Sequence, residues 1–205
     1  MSVLDRAFAG VYDRVLASSE RAGLGAKRAE LLAPLDGTVV EIGAGTGLNL
    51  PHLPDAVDRV VACEPEPAMA ARLRDRAAHD PRVEVVEAPG HALPLADGAA
   101  DHAIVTLVLC TVDDVRATAR ELARVVRPGG TVALVEHIAS DHPGWHRVQR
   151  VVEPVWKVAA RGCRLTREPL DLLEAEGFDT SGVVPWHLPA PPLTSTALAG
   201  WATRR

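Results

Sequence analysis

Three glycines at alternate positions, Gly43, Gly45 and Gly47, follow the β-branched run Thr38-Val39-Val40-Glu41-Ile42. Without Cβ atoms they let the chain turn sharply off a strand and bring backbone N–H groups close to a ligand. A strand, such a loop and a helix N-terminus together make a cradle for an anionic group. The spacing is G-x-G-x-G. The dinucleotide fingerprint, G-x-G-x-x-G, would need glycine where Leu48 stands, so the loop points away from NAD. A tight strand-to-helix turn with no ligand is the plainer reading of these residues taken alone.

Acidic residues flank the loop at useful intervals. Glu41 sits inside the strand just before it, where a carboxylate can accept from a ligand's ammonium or orient the loop containing Ala44 and Asn49. Glu64 lies 17 residues past Gly47, close to the interval of about 20 at which an acid commonly meets ribose hydroxyls. A carboxylate that accepts two hydroxyl bonds suits that task. The alternative is an acid favoured by a helix dipole, since Pro65 and Glu66 open the next helix. Met69, one turn on, either lies against an adenine or fills core. Many adenine-binding loops place Asp where Pro89 stands, which leaves backbone groups of Gly90, His91 and Ala92 to read the ring. Carbonyls from Leu107 onward can accept from an ammonium. With an amino-acid carboxylate on the glycine loop, this set points to S-adenosylmethionine (SAM), and to S-adenosylhomocysteine as its product.

The elements that must position these residues alternate along the chain. Strands are expected at Thr38–Ile42, Arg59–Cys63, Val83–Glu87, Asp101–Leu107 and Thr131–Glu136, with closing strands at Phe178–Val184 and Thr196–Thr203. Helical patterns cover the first 33 residues, interrupted at Gly23 and Gly25, then Glu66–Ala78, Asp113–Val126, Trp145–Ala160 and Arg167–Glu176; the glycine loop should open one more. Arg127-Pro128-Gly129-Gly130 reads as a turn. Alternation of this kind implies a parallel sheet with helices on both faces, and near-continuous Val, Ile and Leu suits strands buried on both sides. Ligands of such sheets bind beyond the strands' carboxyl ends, where strand order reverses. The 205 residues, nearly half of them apolar, are expected to form a single domain that begins with a helical segment over residues 1–33.

Bulk properties exclude several classes. A net charge of −5 argues against nucleic acid held by bulk electrostatics. No apolar window of about 18 residues exists to span a membrane, and the N-terminus lacks the order of a signal peptide. Cys63, Cys110 and Cys163 are odd in number and far apart, so they suggest neither a metal-ligand pair nor a disulfide framework; a reducing cytoplasm fits. Cys110 reads as buried filler and Cys163 as structural.

Taken together, E-I-G-A-G-T-G, Glu64, A-L-P-L-A-D-G-A-A-D, L-V-L-C-T-V-D-D, R-V-V-R-P-G-G and V-E-H resemble class I SAM-dependent methyltransferases over nearly the whole chain. That resemblance implies a Rossmann-like α/β fold: a seven-stranded, mostly parallel sheet with its last strand antiparallel. The run E-H-I-A-S-D-H-P-G-W, Gln149, E-P-V-W-K and G-C-R-L-T-R-E resembles the small-thiol S-methyltransferases. So does V-E-A-P-G-H, whose missing adenine-loop Asp is a trait of that subgroup. Soluble bacterial S-methyltransferases of dithiol natural products are similar in size, which implies a role in secondary metabolism. The family's N-terminal segment folds over SAM, so Tyr12 is expected to cap the cofactor.

A thiol acceptor, already a few per cent thiolate at neutral pH, needs only a mild base or a positive field and no metal. His137, closing strand five, is the candidate base or thiolate-orienting group; the alternative is a bond to Glu136 or a loop carbonyl. Residues 137–166 form a substrate-side helical insertion. There Trp145 and Trp156 are expected to line an apolar acceptor pocket with Arg150 favouring the thiolate; the plainer reading is a packed lid with Trp145, Val148, Val152, Val155 and Trp156 inward. Competing functions are C- or N-methylation of a quinone or lipid amine, and a SAM-binding regulator without catalysis.

Overall fold

The computed structural model describes residues 3–205, with side chains from residue 10 onward. Seven strands among these residues form one sheet: β1 Gly37–Ile42, β2 Val57–Cys63, β3 Val83–Val86, β4 Ala100–Thr106, β5 Val126–His137, β6 Phe178–His187 and β7 Thr196–Arg204. Their order is β3-β2-β1-β4-β5-β7-β6. The first five run parallel, and β7 is antiparallel to both its neighbours. The chain reverses direction across the sheet between β1 and β4, whose ends lie side by side with Ile42 opposite Val105. This is where an open α/β sheet leaves a crevice.

Alternate residues of each central strand feed two cores. Val39, Val60, Ala62 and Ile104 pack with Leu31 and Leu32 of helix α2 (Gly25–Leu32) and Leu73 of α3 (Pro67–Ala77). Val40, Ile42, Val61 and Val105 pack with Leu122 of α4 (Val115–Val125) and Leu173 of α6 (Leu170–Ala175). Both faces are therefore covered, which is why these strands read as unbroken apolar runs. Helix α1 (Val3–Ser19) precedes α2 across a π-helical turn, Glu20–Leu24, where Gly23 takes φ 139°.

Some local expectations need correction. The glycine loop opens no α-helix: residues 45–49 form turns that lead into a short 3₁₀ helix, Leu50–His52. Pro54 forces Leu53 into the extended conformation that ends it. The segment Arg127–Gly130 is not a free turn either. Val126 pairs with Ala100 and Thr131 with His102, so the four residues bulge within β5, held by Arg127 Nε donating to Asp101 at 2.6 Å. Helix α6 starts three residues later than expected, after Pro169.

Helix α5 (Pro143–Ala159) departs furthest. Gln149 is its one fully buried residue. Trp145, Val148, Val151, Val155 and Val158 are exposed, while Val152 and Trp156 are half-buried, so only part of the expected apolar stripe packs inward. Gln149 holds the helix by accepting from Ser140 N at 2.7 Å and donating to Leu193 O at 3.0 Å.

Candidate active site at the carboxyl ends of β1, β2, β4 and β5

At Gly43 (φ 60°) a Cβ atom would stand 2.8 Å from the Val108 side chain, so only glycine lets the β1 and β4 loops touch. Gly45 (φ 59°) is different: the nearest side chains around its missing Cβ are Met69 Cε at 3.7 Å and the Tyr12 ring at 3.9 Å. Its backbone N–H donates to Glu64 Oε2 at 2.9 Å, and the other oxygen of Glu64 accepts from Glu66 N at 2.8 Å. One carboxylate thus ties the end of β2 to the loop after β1. Each of its oxygens keeps a lone pair that a hydroxyl can use. Burial raises the Glu64 pKa above its ordinary value, and the two N–H bonds pull the other way. Ala44 N bonds to Cys63 O at 3.0 Å and completes the loop's attachment to β2.

Glu41 is fully enclosed. Its Oε1 accepts from Asn49 Nδ2 at 2.8 Å, and its Oε2, also buried, has no partner among the described residues. Burial pushes its carboxyl up to about 7. Asn49 Oδ1 in turn accepts from Arg28 at 2.7 Å, and Arg28 pairs with Glu20 at 3.0 Å. A buried acceptor left open costs about 1–3 kcal/mol, and a ligand ammonium would satisfy it. On this observation the residues present fit the amino-acid end of SAM.

The remaining expected cofactor residues divide by place. Tyr12 packs with Ala68 and the buried Met69 beside Gly45, and burial pushes its phenol up to about 12. Pro65 lies between Glu64 and the Glu66 N-cap of α3, whose side chain accepts from Ala68 N. Gly90 is buried against Ile42 and Thr118, whereas His91 and Ala92 are exposed. Leu107 takes φ 58°, an uncommon conformation for a residue with a Cβ. The cause sits on β5: the Glu136 carboxylate accepts from Val108 N at 2.6 Å and Leu109 N at 2.7 Å. It also accepts from Cys110 N at 3.3 Å.

Glu136 is thereby committed to the β4 loop, and its neighbour bonds elsewhere. His137 is buried, with Nε2 2.9 Å from Cys163 Sγ, while its Nδ1 is buried without a partner among the described residues. Trp156 Nε1 donates to the same sulfur at 3.2 Å. Cys110 joins them; its Sγ, the Cys163 sulfur and the imidazole nitrogen all lie within 4.8 Å of one another. Arg164 N bonds to Cys110 O at 2.8 Å, and Arg164 Nε is a second buried donor without a partner among the described residues. Arg167 donates to Leu109 O at 2.5 Å.

Trp145 and Arg150 are not part of this cluster. Trp145 is 42 % exposed, and it precedes Trp156 by eleven residues, about 16 Å along the helix. Arg150 lines an outward groove with Pro143, His146, Arg147 and Val151. Five residues prove central in ways the sequence does not announce: Asp13 and Arg28 are not singled out by it, Glu136 is expected only as a partner of His137, and Cys110 and Cys163, read as filler and as structural and as far apart, meet at His137. For the last three a signal existed, since each lies in a motif at a strand or helix end. For Arg28, and for Asp13, which accepts from Thr46 at 2.5 Å, no local pattern announces a partner 20 or more residues away.

Comparison with known proteins identifies the family and the fold. A family model described as "Methyltransferase domain" matches residues 40–134. The human thiol S-methyltransferase TMT1A is 33% identical over 190 residues, covering 90% of this chain and 76% of that protein. Human TMT1B, also a thiol S-methyltransferase, is 34% identical over 177 residues, covering 80% and 72%. A SAM-dependent methyltransferase of Thermotoga maritima, described as a possible histamine N-methyltransferase, superposes with a TM-score of 0.72 at 22% identity, over 98% of this chain and 97% of that one.

Proposed function

This chain belongs to the class I SAM-dependent methyltransferases, in the family that includes the TMT1 proteins, and we propose that it transfers the methyl group to the sulfur of a small thiol or dithiol. When bound, SAM supplies a methyl group activated on a sulfonium. In our reading Gly43, Ala44, Gly45 and Gly47 receive its carboxylate, Glu41 and the Leu107 carbonyl its ammonium, and Glu64 its ribose hydroxyls. Met69, Pro65 and the Gly90–Ala92 backbone border the adenosine, and Tyr12 closes over it. The helices before β1 act as a lid, and residues 137–166 form the acceptor side.

The observation that carries the thiol reading is the buried His137 Nδ1, without a partner among the described residues, at the carboxyl end of β5 beside the β4 loop. An acceptor sulfur there finds an N–H donor, or a base, in a site from which water is excluded; the identity to two thiol S-methyltransferases supports the same assignment. No protein nucleophile is required, because displacement at the methyl carbon is direct.

A second reading has one observation in its favour. The exposed valines of α5 sit beside Arg147 and Arg150, an arrangement that would suit a lipid-amine or quinone acceptor drawn from an interface. Among the described residues no helix is long and apolar enough to cross a membrane. Both readings meet one experiment: the protein with methyl-labelled SAM and a panel of thiols, phenols, quinols and amines. Label in a thioether supports the first reading. Label in quinol or amine products but in no thiol overturns it.

A further inference from the structure

The trio Cys110, His137 and Cys163 joins three distant segments in the interior, and the function above uses only His137. We propose that Cys163 is a positioning residue: it stands as a thiolate that holds His137 as its imidazolium partner through Nε2, leaving Nδ1–H as the donor that meets the acceptor sulfur in its thiolate form. This rests on the thiol reading of the same site.

Geometry comes first. The 2.9 Å contact between His137 Nε2 and Cys163 Sγ is a direct hydrogen bond. Tetrahedral zinc, at about 2.0 Å from nitrogen and 2.3 Å from sulfur, would hold the two about 3.5 Å apart, so the closeness favours a proton between them over an ion. Trp156 Nε1 points a second N–H at the sulfur, 3.2 Å away. Two donors aimed at one buried sulfur favour its anionic form.

The charges around the pair agree. The Cys110 thiol, then His137 and Trp156, hold Cys163 well below the ordinary thiol range against the opposing effect of burial. Cys110 moves the other way, its thiol raised by the bond to Cys163 and by burial, so it remains S–H. For His137, burial disfavours the cation, but the Cys163 bond and the charges of Cys163, Glu136 and Glu153 outweigh it and raise its pKa. Arg164 and Arg167, from the segment after α5, complete the charged surroundings. The pair is neutral overall, which limits the cost of burying it. Among the described residues, the polar atom of the pair left without a partner is Nδ1.

The transfer then balances without a protein base. The acceptor binds as RS⁻, having left its proton in solvent. A C–S bond forms to the methyl carbon as the old one breaks, and the electron pair of that bond stays on the homocysteine sulfur. His137 ends as it began, protonated at both nitrogens.

Cys163→Ser keeps size and hydrogen bonding but cannot supply the anion. Thiolate absorbance near 240 nm should show one buried thiolate in the wild type at about pH 6, where an ordinary thiol of pKa about 8.5 is protonated. It should vanish in Cys163→Ser and persist in Cys63→Ser. With an alkanethiol that the wild type methylates, kcat/KM of Cys163→Ser should fall at least about tenfold at pH 7 and recover toward pH 9, where the acceptor ionises unaided. Cys163→Asp should restore part of the neutral-pH rate; a merely structural loss would leave the pH profile's shape unchanged.

Absence of the absorbance at pH 6, or its survival in Cys163→Ser, overturns the proposal. So does zinc that co-purifies in equimolar amount and is lost with Cys163. If the thiolate is found where expected but no thiol is methylated, the acceptor reading falls and the Cys163–His137 ion pair stands.

Discussion

Glu41 buries a carboxyl group with one oxygen on Asn49 and the other without a partner among the described residues, a cost the free protein carries until something cationic arrives. Its carboxyl lies at about 7 in the fold against an ordinary 4.5. The sign follows from which state holds the proton. Between those values the native group stays protonated while the unfolded chain ionises, so rising pH favours unfolding. The contribution is whole below about pH 4.5, declines up to about pH 7 and is gone above it, a swing of about 3 kcal/mol at 1.36 kcal/mol per pH unit. Glu41→Gln should remove this dependence: urea unfolding of the free protein should give the variant and wild type similar stability near pH 4.5, and the variant the higher stability at pH 8. Parallel pH profiles would refute it. Glu64 predicts a different outcome. Its carboxylate anchors Gly45 and Glu66, and loss of two further hydroxyl bonds in Glu64→Ala should weaken SAM binding by about 1–3 kcal/mol; calorimetry showing an unchanged Kd would remove the ribose role.

At the scale of elements, α5 is the piece whose attachment is thinnest. Its outer face is exposed valine, and the buried Gln149 bonds both the Ser140 N–H and the Leu193 carbonyl. Gln149→Leu would leave those backbone groups without their partner, at about 1–3 kcal/mol. Amide exchange over residues 143–160 should quicken while that of β1 and β4 holds; uniform acceleration would mean that α5 is not an independent unit. The sequence made α5 legible as an amphipathic helix because apolar residues recur at helical spacing. It could not tell which side of that helix meets protein, since periodicity gives a face and not its cover. Strands were more readable for a physical reason: a strand buried on both faces must be apolar throughout, as Val39–Val40 and Val60–Val61 are. The glycine loop was legible as a loop but not in its continuation, where Pro51 and Pro54 outweigh the helix that such loops usually open.

At the scale of the molecule, what escaped sequence reading is mostly what joins distant segments. Asp13 and Arg28 reach from the N-terminal helices to Thr46 and Asn49, beside Tyr12, which is expected at the cofactor and lies against Gly45, so these helices are fastened to the very loop expected to hold the cofactor. Asp13 also pairs with Arg76 of α3 at 2.8 Å. If this segment is a lid, its opening and the binding of SAM must be linked: a ligand that binds only the closed form at 100 times its Kd lowers the open population about 100-fold, or about 2.7 kcal/mol. Tryptic cleavage after Arg14 and Arg21 should then slow markedly when SAM is added. Asp13→Asn, which weakens two of the fastenings, should speed cleavage of the free protein and raise the SAM concentration needed for protection. Sites within the sheet open only on global unfolding and serve as the control. Cleavage after Arg14 and Arg21 at the same rate with and without saturating SAM would show that the N-terminal helices do not close over the cofactor.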